Sequence, residues 1–276
     1  MKKIFIFLFV FCNFISFSQI TVDKTTPNDN PTYLIDNVLL GGGVVASNHS
    51  YEGDSMQIGF FNAVNTSLGL DSGIVMATGD IDNLMPGTIS FTNPANIVTD
   101  PDLLNVANSV PGMIGQSFTV SSINDVAKLE FDFIPTSDTI TFRYVFGSQE
   151  YFAFENTQYN DVFGFFLSGP GISGPYANGS INLAIVPGSN PPLPITISSV
   201  NSVTPINVQY FVDNSGGLDT IADADGMTTV FTAVAVVQCG ELYHIRLAIA
   251  DGSDQGLSSY VWLEAGSFKS PELNVT

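Results

Sequence analysis

Tyr159-Asn160-Asp161-Val162-Phe163-Gly164-Phe165-Phe166-Leu167-Ser168-Gly169-Pro170 decides how this chain is read. A polar Asn-Asp pair runs directly into an apolar stretch of strand length that stops at a Ser-Gly-Pro turn. An unbroken apolar run between turn signals predicts a strand buried on both faces. Asp161 then stands at the mouth of a packed β core, a place where a carboxylate can serve a binding site. The same Asn-Asp pair can also do no more than satisfy the amides of a turn.

Outward from this strand the pattern stays β. Ala127-Lys128-Leu129-Glu130-Phe131-Asp132-Phe133 alternates apolar and charged residues with period two, as a half-buried strand does. Residues 139–146 follow a Pro-Thr-Ser-Asp turn, so the two segments are expected to form a hairpin. A second hairpin is expected from residues 228–237 and 243–250, joined by Gln238-Cys239-Gly240-Glu241. The last strand, residues 260–268, carries the only Trp. One short helix is expected from Asp100-Pro101, an N-cap followed by Pro at the first helical position. With 22 Phe, 25 Gly and 15 Pro against 12% charged residues, the composition favours short strands and turns over helices. The expected fold is all-β, a two-sheet β-sandwich of jelly-roll type.

The N-terminus reads as an export signal. Two lysines precede eight apolar residues at 4–11, and Ser16 and Ser18 mark a cleavage site before Gln19. Residues 1–18 are therefore assigned to a signal peptide too short in its apolar run to span a bilayer. Bulky Phe11 before Cys12 argues against lipidation. Residues 19–31 are expected to be a linker, 32–269 a single domain and 270–276 a tail.

Removing the signal takes Lys2 and Lys3 with it, so five basic residues face 26 acidic ones and formal charge moves from −19 to −21. Such a surface excludes nucleic acid and anionic lipid as partners. It fits a secreted or cell-surface protein without membrane insertion, its partner an extracellular glycan or surface protein. Only Cys239 remains in the mature chain, so no internal disulfide is expected, and stability falls to the core.

The chemical candidates are carboxylates. Glu150, Tyr159, Asn160 and Asp161 bracket one aromatic loop and are the candidate ligand-binding set. Acids and an amide would grip sugar hydroxyls while a ring stacks on the sugar face. Asp213, Asp219, Asp223 and Asp225 lie in a second loop, Asp251 and Asp254 in a third. Of these, Asp223, Asp225, Asp251 and Asp254 are the candidate metal ligands, with calcium the ion their oxygens suit. No bidentate glutamate closes a complete calcium loop. Turn chemistry explains the same acids without a metal. No nucleophile elbow or His-Glu-x-x-His helix is present. Cys239 and His244 flank a tight turn where a small thiol and a strand histidine are ordinary. A non-enzymatic role is expected, with glycan hydrolysis by Glu150 and Asp161 as the alternative.

Nine segments in order carry a family resemblance. They are Val38-Leu39-Leu40-Gly41-Gly42-Gly43-Val44, Gly69-Leu70-Asp71-Ser72-Gly73-Ile74-Val75, Thr78-Gly79-Asp80, residues 129–133, residues 142–148, residues 160–171, Val237-Gln238-Cys239-Gly240, residues 243–251 and Leu263-Glu264-Ala265-Gly266-Ser267-Phe268. Together they resemble the choice-of-anchor L domain of secreted bacterial surface proteins, over roughly residues 32–269. The resemblance implies an extracellular module commonly joined to a C-terminal anchoring or sorting segment, often one read by type IX secretion. It implies no catalytic activity. Either the protein is simply secreted or an anchor lies beyond Thr276. Three positions depart from the family pattern. Gln149-Glu150 replaces paired acids, residues 152–156 lack a cysteine that could pair with Cys239, and Ser258-Ser259 stands where relatives carry an acid.

Overall fold

The computed structural model describes residues 19–84, 98–215 and 222–271. The signal peptide and Asp219 lie outside the described residues. Among the described residues, thirteen strands form two antiparallel sheets. The smaller sheet runs β2 (Val44–Glu52), β5 (Ile123–Pro135), β12 (Tyr243–Gly252), β7 (Val162–Ser168), β8 (Ile181–Asn182). The larger runs β1 (Thr21–Asp23), β3 (Ile58–Asn62), β4 (Ser72–Ala77), β13 (Ser259–Glu264), β6 (Thr139–Ser148), β10 (Gly226–Thr228), β9 (Phe211–Asp213), with β11 (Phe231–Val236) also on β6. Part of the stretch expected as a linker, Thr21–Asp23, thus pairs with β3.

Between the sheets the inward side chains interdigitate. Phe131, Phe133, Phe163, Phe165 and Leu247 from one layer meet Phe142, Tyr144, Phe146 and Leu263 from the other. Phe142 and Phe165 sit 4.9 Å apart edge to face, and Tyr144 and Phe165 sit 4.8 Å apart, favourable arrangements for aromatic quadrupoles. β7 is buried along its whole length, as its unbroken apolar run predicts. Its outer face, Val162 and Phe166, is covered by Leu103, Val106 and Ala107 of α2 (Pro101–Met113), a longer helix than the single turn α1 (Pro31–Tyr33). That helix begins as expected, the Asp100 carboxylate accepting from the amides of Asp102 and Leu103. Gly164 leaves room for this packing, because a Cβ there would stand 2.6 Å from the Phe166 ring.

Both expected hairpins are absent. β5 pairs with β2 and β12, while β6 pairs with β13, β10 and β11. The Pro-Thr-Ser-Asp turn therefore carries the chain from one sheet to the other, and so does the turn between β11 and β12. The physical reason is the core. Each strand of these pairs has a full apolar face, and the two faces bury best against each other across the sandwich rather than side by side in one layer.

Candidate functional site

The acids predicted from separate loops converge at one end of the small sheet. β5, β12 and β7 are neighbours there, and each brings a carboxylate at or near its end. Asp125 lies near the start of β5, Asp161 precedes β7, and Asp251 lies at the bulge that shifts register near the end of β12. Glu150 enters from the opposite layer, in the turn after β6, its amide donating to Ser148 Oγ at 2.9 Å. Asp125, Glu150, Asp161 and Asp251 are all buried, none more than 3% exposed.

Asp161 is the hub. Its Oδ1 accepts from the Gly252 amide at 2.9 Å, and its Oδ2 accepts from Ser259 Oγ at 2.6 Å. One carboxylate thus ties the entry of β7 to β12 in its own sheet and to β13 across the sandwich. Ser259 occupies the position where the family resemblance led one to look for an acid, and its hydroxyl serves as donor. Glu150 also shares a hydrogen bond with Asp161. Burial, then repulsion from Asp161 and Asp251, pushes the Glu150 carboxyl up to about 12. Burial likewise pushes Asp161 up to about 7 and Asp125 to about 6, and raises Asp251 well above the usual carboxylate range. At neutral pH this cluster is a set of partly protonated acids sharing hydrogen bonds.

A cavity of about 220 Å³ opens beside the cluster, lined by Glu150, Phe154, Asp254, Gly256 and Leu257. The loops around it hold non-glycine residues at positive φ: Phe152 at 70°, Asn156 at 61°, Ser253 at 69° and Leu257 at 64°. Such backbone costs energy and persists only where the surroundings enforce it. The Tyr159 ring packs edge to face on Phe154 at 5.5 Å, while exposed Phe152 packs edge to face on Phe211 at 5.8 Å.

The predicted sets are redistributed. Glu150 lines the cavity, and Tyr159 reaches it only through Phe154. Asn160 and Asp161 are wholly out of solvent, the Asn160 amide nitrogen donating to Ala107 O of α2 at 3.3 Å. The four expected metal ligands do not form one set. Asp251 and Asp254 belong with Glu150, whereas Asp223 Oδ2 accepts from Gln149 Nε2 at 2.6 Å and Asp225 is exposed at the start of β10. Among the described residues, no three His, Cys, Asp or Glu side chains stand together ready to hold a metal ion. The Cys239–His244 pair does not form either. His244 sits between Asp132 at 2.8 Å and Glu130 at 3.4 Å, while exposed Cys239 contacts Thr136 O.

Asp125 was missed by sequence reasoning. The signal was there: Asn124-Asp125-Val126 repeats the Asn160-Asp161-Val162 pattern at the entry of a strand. Its carboxylate accepts from Gln255 Nε2 at 2.9 Å, which ties it to the Asp254 loop.

This two-layer sandwich with an acid-laced rim is the setting in which the family comparison falls. The chain belongs to the choice-of-anchor L domain family, whose model matches residues 21–269. The family implies a surface or secreted module. No curated protein and no solved structure matches the chain. Among the described residues, no helix is long and apolar enough to cross a membrane.

Proposed function

We propose that this chain is a non-enzymatic recognition module of the cell exterior, and that its partner is a glycan received at the rim beside Glu150. The observation that carries the reading is the composition of the cavity wall. The acidic side chains of Glu150 and Asp254 line one concave site together with an aromatic ring, Phe154. Carboxylates accept hydrogen bonds from sugar hydroxyls, and an aromatic ring covers the apolar face of a sugar ring. A small, mostly apolar pocket with few polar groups is the usual form of a ligand site. Tyr159, bracing Phe154 edge to face, gives that platform a fixed orientation.

The alternative is hydrolysis by Glu150 and Asp161. Glycosidase acids stand about 5–9.5 Å apart with the scissile bond between them. Here the two acids hydrogen-bond to each other, and Asp161 spends both oxygens on protein donors. This arrangement favours binding over turnover.

A glycan array followed by product analysis of each hit tests both readings. Binding without new reducing ends, weakened at least tenfold in Phe154→Ala, is the expected result. Turnover that disappears in Asp161→Asn would replace the module with an enzyme. An array without hits would remove the glycan.

A further inference from the structure

The charges of this chain are unevenly placed. Against a net charge of −19, residues 162–212 contain no Asp, Glu, Lys, Arg or His, and neither do residues 226–240. The fold brings the two segments together on one side of the larger sheet. β9 pairs with β10, the Thr229 amide donates to Tyr210 O at 2.7 Å, and the Tyr210 ring lies 5.2 Å from Phe231. This cover reaches along the sheet edge only as far as Thr229. Beyond that point, among the described residues, β11 pairs with β6 alone and its other edge is open.

The open edge has a definite register. The Val237 amide donates to Asp138 O, and the β11–β6 ladder continues from there without a bulge, Ala235 opposite Ile140 and Ala233 opposite Phe142. In an antiparallel ladder alternate residues bond to the same neighbour, so Ala233 and Ala235 spend their backbone groups on β6. The amides and carbonyls of Thr232, Val234 and Val236 point the other way. The same three side chains are exposed, Val234 by 56% and Val236 by 77%. Sheet edges are commonly blunted by lysine, proline, bulges or inward charges. β11 has none of these. Arg143, across the ladder from Thr232, is committed to Glu264.

We propose that the β11 edge is a self-association surface, where a second copy of this chain adds its own β11 antiparallel and continues the larger sheet across a two-fold axis. Charge and register name the occupant. Two strongly acidic copies repel wherever their carboxylates meet, and this uncharged side is where they approach at least cost. A two-fold at Val234 sets Val234 opposite its own counterpart and Thr232 opposite Val236 of the other copy. All three free amides then find acceptors, and valine and threonine side chains pack across the seam. The contact is isologous, so it closes at two copies. Three residues from each side bury too little surface for a tight dimer, so the association is weak and reversible. The inference goes beyond the recognition reading and does not rest on it.

Sedimentation equilibrium of the mature protein from about 1 μM to about 100 μM, with and without added salt, tests it. The expected result is a monomer–dimer equilibrium that salt strengthens, because screening weakens the repulsion between acidic copies. Val234→Lys and Thr232→Lys put a charge at the seam and should each weaken dimerisation by about tenfold or more. Val45→Lys, at an exposed valine of β2 in the other sheet, should leave it unchanged. The melting temperature of each variant checks that it is folded. Amide hydrogen exchange reads the register in the wild type: Thr232, Val234 and Val236 should slow as concentration rises, while Ala233 and Ala235, already bonded to β6, stay as they are. A protein that is monomeric throughout, its three outer amides exchanging freely, overturns the proposal and leaves the edge to a different chain. Dimers that survive both lysine variants at the edge, or are lost in Val45→Lys, overturn it equally by placing the contact elsewhere.

Discussion

Asp161 shows how much one buried side chain can organise. It accepts from Gly252 N and Ser259 Oγ, so cutting it back strands two buried donors. Each unsatisfied buried donor costs about 1–3 kcal/mol. Asp161→Ala is therefore expected to lower stability by about 2–4 kcal/mol in urea denaturation, and Asp161→Asn, which keeps an acceptor, by less than half as much. Its neighbours give a pH dependence with a definite sign. Glu150, Asp161 and Asp251 have folded pKa values above their ordinary ones, so the folded state binds more protons than the unfolded state across that window. Stability supplied by those protons is present at low pH and declines as pH rises above the ordinary carboxylate range, through about 7 for Asp161. In chelator the melting temperature should fall between pH 5 and pH 8, and Glu150→Gln should flatten that slope. An unchanged slope in the variant would show that Glu150 is ionised in the folded protein.

At the scale of elements, α2 and β7 were the most legible parts of the chain. Asp100-Pro101 announced the helix, and the Phe-rich run announced the doubly buried strand, because capping and burial are local and leave local marks. Asp100 also pairs with Arg246, whose guanidinium lies 4.4 Å over the Phe166 ring. Asp100→Ala should cost about 0.5–2 kcal/mol for the lost cap alone, with a further loss as Arg246 forfeits a partner. Gly164→Ala should cost about 1–3 kcal/mol, since the added methyl collides with the Phe166 ring. The false hairpins mark the limit of local reading. Period-two alternation tells which face of a strand is apolar, but it is silent on whether the next strand lies beside it or opposite it. The acid site suffered likewise. Asp161 and Asp251 were singled out in separate loops, and their meeting depended on β12 lying between β5 and β7, which spacing along the chain does not reveal.

For the molecule as a whole, Cys239 is exposed and free, and among the described residues cohesion falls to the inter-sheet core. Cys239→Ser should change the melting temperature little, within about 0.5 kcal/mol, and a reductant should leave it unmoved. Phe163→Ala, in the midst of that core, should cost about 3–5 kcal/mol. The position of β13 has a further consequence. This late strand, Ser259–Glu264, is inserted between β4 and β6, with Tyr260 opposite Ala77 and Val261 opposite Phe146. The centre of the larger sheet is thus a gap until the last strand of this domain has been made. Closing it joins residues almost two hundred positions apart, and such distant pairings are slow to form. A nascent domain would remain pliable until that strand emerged, then zip shut from the middle.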